Sequence, residues 1–360
     1  MPEEFVQQNP FRRVGQVAVA ERFVGRRDLV GRIRSTWHDA GRPGNLSVLG
    51  NHRIGKTSAV GRAISLDCDN RPDLIFVVLN IGDFESGEGV FRAILSASWK
   101  ALARVWPQLP SAVRMELDSL VASVQVATEW YGISEGVRAF LRMVRDVSVG
   151  IVVVLDDFDR ASTVFVRMAE FQLLRNVASE SYSPAGVVTI SRRPVSIVEI
   201  DAVGGSTLDG VLSLRCAVGP FLNSDIDEML ARGDGAGALL SSVRSDLVDR
   251  TGGHPFLLEL LCNAVVDVFS RTGKHDVSSA FGLVSDQFNS QFERMVSILN
   301  ADSGGRAPEI LGKVLNGESD SVRRQDLELL TRLSLVQADS ASVRLFSRSF
   351  ESYLRSVGLG

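Results

Sequence analysis

Between residues 45 and 220 the chain alternates short apolar runs with longer stretches of helical periodicity. The run Gly150–Leu155 is β-branched and wholly apolar, as strands covered by helices on both faces are. The predicted strands are Asn45–Gly50, Leu74–Ile81, Gly150–Leu155, Gly186–Ser191 and a fifth within Val211–Val218. The predicted helices are Arg26–Ala40, Lys56–Leu66, Gly87–Val147 with a break near Pro107–Pro110, and Ala161–Glu180. The alternation predicts an α/β fold with a doubly wound parallel sheet.

Beyond residue 220, only helical periodicity is visible as far as about Asn300, with Ser224 suited to the first N-cap. The pattern breaks at Gly252–Pro255, where two glycines suit the end of one helix and the proline suits the start of the next. The elements predicted after that are helices Pro308–Leu315 and Val322–Leu333, strands Ser334–Ala338 and Val343–Phe346 joined by residues 339–342, and helix Ser349–Ser356. Two helices, a hairpin and a further helix are typical of a winged-helix domain.

These changes of pattern predict four parts: a lead-in at residues 1–44, a core at 45–220, a helical domain at 221–300 and a winged helix at 301–360. Hydrophobic residues make up 45% and charged residues 23%, as in soluble globular proteins. A net charge of −4 gives no overall electrostatic reason to expect nucleic acid or an anionic membrane. The N-terminus lacks an apolar signal region and Ile151–Leu155 is too short to span a bilayer, so we expect a cytoplasmic protein with no membrane partner.

One stretch, Gly50 to Thr57, matches the phosphate-binding pattern GxxxxGK[ST]. Its glycines let successive N–H groups point at phosphate oxygens, and the following helix adds its positive N-terminal end. The lysine would reach the β- and γ-phosphates, and the threonine hydroxyl would bind Mg²⁺. The alternative is a glycine turn with a solvent-facing lysine. The residues predicted to bind ATP or ADP here are Gly50, Asn51, His52, Arg53, Ile54, Gly55, Lys56, Thr57 and Ser58.

A predicted strand ends in Asp156 and Asp157, which suits the second half of such a site. Asp156 would hold Mg²⁺ together with Thr57, and Asp157 would orient or deprotonate the attacking water. Taken alone, an acidic strand end is equally typical of an ordinary loop. Asp159 and Arg160 are expected to be solvated or to cap the next helix.

Another predicted strand ends at Ser191 and is followed by Arg192. An arginine at this position suits recognition of the γ-phosphate, because its planar donor fork matches phosphate oxygens. We predict that Arg192 senses the γ-phosphate. The alternative is a surface arginine before a turn at Pro194.

Several separated segments resemble one family, the signal-transduction ATPases with numerous domains (the STAND class), near the archaeal-type ATPases of the AAA+ superfamily. The segments are Asn9–Phe11, Phe23–Arg26, Gly50–Thr57, Leu155–Asp157, Ser191–Arg192, Gly253–Pro255 and Arg344–Leu354. The resemblance implies a P-loop NTPase sheet of order 5-1-4-3-2, with a helical lid and a C-terminal winged helix. It implies that Phe23–Arg26 lies against the adenine, with Val24 contributing backbone or apolar contact. It also implies that Pro255 packs on the adenine from the lid and that Arg192 is the sensor. A Met-His-Asp motif is not found in the winged helix, where Phe346–Arg348 is nearest.

The resemblance implies a slow ATPase switch whose nucleotide state controls self-assembly or a protein partner, in regulation or host defence. No sensor repeat or effector is recognised in the sequence, so we expect them in another chain or another part of a longer protein. The alternative is a DNA-handling AAA+ ATPase of the initiator or transposition-regulator kind, whose winged helix binds DNA. Residues 301–360 carry eight basic and eight acidic residues, and Asp326 and Glu328 follow Arg323 and Arg324, which disfavours DNA. A scaffold that holds nucleotide without hydrolysing it is a further alternative, disfavoured by the intact acidic pair.

Overall fold

The computed structural model describes residues 9–38, 42–107, 109–232, 234–338 and 343–359. These residues form two compact units. The sheet unit consists of Arg27–Leu49 and Lys56–Ala217. The helical unit consists of the chain up to Arg26, the loop Gly50–Gly55, and the chain from Val218 onward. The three boundaries between the four predicted parts stay predictions.

A five-stranded parallel sheet organises the sheet unit. Its strands are β1 (Leu46–Leu49), β2 (Leu74–Asn80), β3 (Gly150–Asp156), β4 (Ala185–Ser191) and β5 (Arg215–Ala217). Their order across the sheet is β2-β3-β4-β1-β5, which confirms the predicted order 5-1-4-3-2 counted from the other edge. Strands β1 and β4 are buried along their whole length, in keeping with a sheet covered on both faces.

The helices of the sheet unit precede and separate these strands along the chain. They are α1 (Arg27–Thr36), α2 (Lys56–Asp67), α3 (Gly87–Val105), α4 (Ser111–Val126), α5 (Trp130–Asp146), α6 (Ala161–Val164), α7 (Met168–Ser179) and α8 (Val195–Val203). Short 3₁₀ turns at Ile81–Asp83 and Phe158–Arg160 follow β2 and β3. Helix α1 starts after Arg26, whose φ of 55° is left-handed, and it ends before the predicted limit at Ala40, which lies outside the described residues.

Two predicted helices are wrong as continuous elements. The region Gly87–Val147 has a second break, where Ala127 adopts an extended conformation at the end of α4. The predicted helix Ala161–Glu180 is interrupted because Phe165 and Arg167 are extended. The backbone N–H of Arg167 donates to the Glu170 carboxylate at 2.9 Å, which caps the start of α7.

The helical unit contains the remaining helices and a small hairpin. They are α9 (Asn223–Leu230), α10 (Asp234–Ser242), α11 (Arg244–Thr251), α12 (Pro255–Thr272), α13 (Val277–Asp302), α14 (Ala307–Leu315), α15 (Arg324–Arg332), β6 (Val336–Ala338), β7 (Val343–Leu345) and α16 (Arg348–Ser356), with 3₁₀ turns at Ala20–Arg22 and Ser319–Ser321. The N-cap predicted at Ser224 is wrong, because the helix begins at Asn223. The backbone N–H of Leu222 donates instead to the carboxylate of Asp225 at 3.1 Å.

The chain from α14 to α16 has the order predicted for a winged helix. Strands β6 and β7 pair antiparallel, with Val336 opposite Leu345. The predicted connection at residues 339–342 lies outside the described residues. At the other end of the chain, Asn9 Nδ2 donates to Asn263 and Asp267 on α12, and Phe11 is fully buried in the same apolar core.

Among the described residues, no helix combines the length and apolar character that a membrane crossing needs.

Candidate functional site

The predicted site residues are divided between the two units. Lys56, Thr57, Ser58, Asp156, Asp157 and Arg192 belong to the sheet unit, and Phe23, Val24, Gly50 to Gly55 and Pro255 belong to the helical unit. The covalent chain passes directly from Gly55 into Lys56.

In the sheet unit, parallel pairing brings the carboxyl ends of several strands to one edge. Leu49, the last residue of β1, lies opposite Ser191 at the end of β4, and Asn80 of β2 lies opposite Asp156 of β3. Polar residues that end or follow these strands therefore collect at this edge.

Thr57 and Asp156 meet at this edge as predicted. The Thr57 hydroxyl donates to Asp156 Oδ2 at 2.8 Å. The other carboxylate oxygen, Oδ1, accepts the backbone N–H of Asp157 at 2.8 Å. A hydroxyl and a carboxylate are hard oxygen donors of the kind that Mg²⁺ prefers, so this pair fits the predicted metal.

Lys56 begins helix α2 and is partly buried. Burial lowers the pKa of its ammonium group, while the charges of Asp159 and Asp156 oppose that shift. The charge of Arg192 acts in the same direction as burial, which means that the two cations are near enough to repel each other. Two cations held together beside carboxylates suit an anionic ligand with a divalent cation.

Asp157 adopts a left-handed conformation, with φ of 50°, and its side chain is exposed. Partial desolvation and the charges of Asp159 and Asp156 raise the pKa of its carboxyl group. A solvent-facing carboxylate beside the metal-binding pair is suited to orient a water molecule.

Asp159 was expected to be solvated or to cap the next helix, but its carboxylate is mostly buried and binds the backbone after β4. Its Oδ2 accepts the backbone N–H of Arg192 at 2.6 Å, and its Oδ1 accepts the backbone N–H of Arg193 at 3.1 Å. Sequence reasoning did not include this residue in the site. The available signal was a third carboxylate, Asp159, only two positions after the acidic pair Asp156 and Asp157.

In the helical unit, the loop Gly50–Gly55 has the backbone geometry that its glycines allow. A Cβ on Gly50 would lie 2.6 Å from the carbonyl oxygen of Val218, so only glycine fits there. Gly55 has φ of 91°, and the preceding residue, Ile54, is fully buried. Arg53, at φ of 57°, places its guanidinium 4.2 Å from the centroid of the Phe256 ring.

Arg26 lies beside this loop, whereas the resemblance placed it only at the end of the segment expected against the adenine. A Cβ on Gly55 would lie 3.5 Å from its guanidinium, which therefore faces that glycine directly. Its side chain is held by the carbonyl of Gly219 at 2.9 Å and by the ring of Phe221, with its carbon 4.9 Å from the centroid. Burial lowers the pKa of Arg26 to about 10, against the opposing charge of Asp225. Within the described residues the second terminal nitrogen, Nη1, is buried without a hydrogen-bond partner, which fits an anionic ligand at the loop.

Two other loop residues contact the C-terminal part of the helical unit. Asn51 is fully buried, and its Nδ2 donates to the carbonyl oxygen of Leu333 at 2.7 Å. The guanidinium of Arg294 on α13 lies 3.1 Å from His52 Nε2. From the sequence, Asn51 and His52 were assigned to nucleotide binding only, and these contacts were not anticipated.

The residues predicted to contact adenine lie in the helical unit as well. Val24 is buried in its apolar core with Ile226, and Phe23 is partly exposed. Pro255 is the first residue of α12 and follows Gly252 and Gly253, both left-handed. The predicted helix stop and restart is confirmed, and the adenine contacts stay predictions.

Comparison with solved structures shows the same fold. A Walker-type ATPase of Pyrococcus abyssi is 13% identical, with a TM-score of 0.59 over 94% of this chain and 97% of that chain. The ORC2 protein of Aeropyrum pernix, solved in ADPNP and ADP complexes, is 12% identical, with a TM-score of 0.51 over 95% of this chain and 98% of that chain. No protein-family model and no curated protein matches the sequence. At such identities the likeness shows the P-loop ATPase fold alone, and the resemblance to the STAND class is not confirmed.

Proposed function

We propose that the protein binds ATP with Mg²⁺ and hydrolyses it. The observation that carries this proposal is the 2.8 Å hydrogen bond between Thr57 and Asp156 at the carboxyl edge of the sheet. It brings together the two residues proposed to hold Mg²⁺, which are 99 positions apart in the sequence. The P-loop ATPase fold and the buried guanidinium of Arg26 beside the loop support the same conclusion.

In this proposal each residue of the sheet unit has a distinct task. Thr57 and Asp156 hold Mg²⁺, which supplies charge neutralisation for the β- and γ-phosphates. Lys56 binds the same phosphates as a point charge, and Arg192 recognises the γ-phosphate. Asp157 orients the attacking water and accepts its proton. Ser58 lies in the first turn of α2, where its backbone N–H adds to the positive helix end.

The helical unit supplies the remaining contacts in the proposal. The loop residues Gly50, Asn51, His52, Arg53, Ile54 and Gly55 form the phosphate-binding loop. The backbone N–H of His52 donates to Asn51 Oδ1 at 2.7 Å, so other N–H groups of the loop would meet the phosphate. Phe23, Val24 and Pro255 contact the adenine. Pro255 opens a helix, so a contact between it and the base would link the position of α12 to the bound nucleotide.

The proposal is tested by titration calorimetry with Mg·ATP on the full chain. Lys56→Ala should weaken binding by about 100-fold or more, since charge-assisted bonds to phosphate are lost. Lys100→Ala, which removes an exposed lysine of the sheet unit, should bind as the wild type does. Asp157→Asn should retain binding but release phosphate more slowly, because an amide cannot take the proton. Wild-type affinity in Lys56→Ala would overturn the proposal.

We propose two candidate outputs for this ATPase. One is a switch that controls self-assembly or a protein partner, as the resemblance to the STAND class implies. The other is DNA handling through the winged helix. The exposed arginines Arg323 and Arg324 support the second candidate at least as well as the resemblance supports the first.

A further inference from the structure

The carboxylate of Asp159 holds the backbone of the two residues that follow β4. Oδ2 accepts the N–H of Arg192 at 2.6 Å, and Oδ1 accepts both the N–H and the Nε–H of Arg193 at 3.1 Å. Two successive backbone N–H groups that point at one carboxylate form an anion-binding nest, and here the bound anion is the Asp159 side chain. The backbone position of Arg192 therefore depends on Asp159.

The local chain path explains why Asp159 reaches this point. Strand β3 pairs with β4 up to Leu155 opposite Thr189, so the two strands end side by side. The left-handed turn at Asp157 then directs the 3₁₀ turn Phe158–Arg160 toward the end of β4. One short segment thus carries the metal-binding carboxylate and the carboxylate that holds the proposed sensor.

Asp159 contacts both residues that follow β4. The Arg193 guanidinium is engaged by Asp159 at 3.1 Å and by Asp201 on α8. The Ser191 hydroxyl donates to the Arg193 carbonyl at 2.8 Å and closes the turn. The backbone N–H of Arg192 donates to Asp159, and the charge of the Arg192 side chain acts on Lys56.

We propose that Asp159 is a positioning residue that fixes Arg192 for recognition of the γ-phosphate and thereby sets the preference for ATP over ADP. This inference rests on the proposed function, in which Arg192 contacts a group that only ATP has. The competing account is that the charge of Asp159 acts on Lys56 alone. That account makes the effect of Asp159 independent of Arg192, so the losses in Asp159→Ala and Arg192→Ala should add in the double variant.

The test is a double-mutant cycle on the ratio of the dissociation constants for Mg·ADP and Mg·ATP. Arg192→Ala should lower the preference for ATP by about tenfold or more, the effect of losing one charge-assisted bond. Asp159→Ala should lower the preference by a similar factor, and Asp159→Asn by less, since its amide oxygen still accepts one N–H. The double variant should lose no more than Arg192→Ala alone, because Asp159 acts through Arg192.

The matched control is Asp201→Ala, which removes an exposed carboxylate from the same chain of ion pairs without touching either backbone bond. It should keep the wild-type preference. An unchanged preference in Asp159→Ala, an equal loss of ATP and ADP affinity, or additive losses in the double variant would each overturn the inference.

A second measurement separates this inference from the proposed function. Hydrogen exchange of the peptide containing Arg192 and Arg193, without nucleotide, should be faster in Asp159→Ala than in Asp201→Ala. Faster exchange with no nucleotide binding by the wild type would refute the proposed function and leave the anchoring intact. Unchanged exchange in Asp159→Ala would refute the anchoring whatever the nucleotide data show.

Discussion

Three carboxylates within four positions have different tasks because their surroundings differ. Asp156 bonds to the Thr57 hydroxyl, Asp157 faces solvent from a left-handed turn, and Asp159 holds the backbone of Arg192. All three are aspartates close together in sequence, so residue type alone does not distinguish their roles. Only Asp156 and Asp157, which directly follow the apolar run, were assigned to the site. The partner of Asp159 is 33 positions away, and no local pattern marks that distance.

His254 provides a residue-scale prediction of how stability depends on pH. Burial lowers the pKa of its imidazole from 6.5 to about 3, and the charge of Arg26 contributes in the same direction. Between about pH 6.5 and pH 3, this histidine is therefore protonated in the unfolded chain and neutral in the folded chain. The free energy of unfolding should fall by up to about 1.4 kcal/mol per pH unit as pH drops from about 6.5 toward 3, on account of this group.

Urea unfolding at a series of pH values checks this expectation. His254→Leu should have a shallower loss of stability over that window than the wild type. His275→Leu, which removes an exposed histidine of the same unit and leaves His254 in place, should keep the wild-type slope. An identical slope in His254→Leu and wild type would show that His254 is not held neutral by burial.

At the scale of elements, two helix ends form a matched pair for a stability prediction. Gly252 ends α11 with φ of 58° and Gly273 ends α12 with φ of 68°, and each N–H donates to a helix carbonyl at 2.7 Å. A Cβ on Gly273 would meet nothing within 4 Å, whereas one on Gly252 would lie 2.1 Å from the carbonyl oxygen of Phe346.

Gly273→Ala should cost about 1 kcal/mol, the usual penalty for a left-handed alanine. Gly252→Ala should cost at least about 2 kcal/mol more, because the segment before α16 must move as well. Thermal unfolding of the full chain measures both. Equal losses would mean that Phe346 does not pack against the end of α11 in solution.

The strands were predictable from sequence, and several helix breaks were not. Strand β3 is apolar from Gly150 to Leu155, so its position follows from the pattern alone. The breaks at Ala127 and Phe165 contain neither glycine nor proline and arise from packing of separate helices. Helix α8 was missed because its apolar residues point in several directions: Val198 is buried while Ile200 is half exposed, which leaves no amphipathic period.

For the whole molecule, sequence motifs identified the candidate site but not what the loop residues contact. Gly50 to Thr57 and Asp156 follow local patterns with a known chemical use. The bond from Asn51 to Leu333 joins residues 282 positions apart, and it depends on the helical unit having folded. Such contacts have no signature in either segment, since asparagine donates equally well to water.

The surroundings of Asp326 change the expectation for DNA binding. Asp326 was expected to repel phosphates, but it is buried, and both of its oxygens are bound by the guanidinium of Arg306 at 2.8 and 2.5 Å. Arg323 and Arg324 remain exposed, although each pairs with a carboxylate of α15.

If DNA handling is the output, duplex DNA should bind with a shallow salt dependence. Replacing both Arg323 and Arg324 by alanine should lower the slope of log affinity against log salt concentration by about 2.

Fluorescence anisotropy with a labelled duplex at several salt concentrations measures this slope on the full chain with Mg·ATP. The matched control replaces Arg271 and Lys274, two exposed cations of the same unit, and should leave the slope unchanged. Equal slopes in the two double variants would move DNA contact away from α15. Residues 301–360 have no net charge, so Arg323 and Arg324 would have to supply the electrostatic attraction to DNA phosphates. Absence of binding at low salt would therefore exclude DNA handling and leave the partner switch.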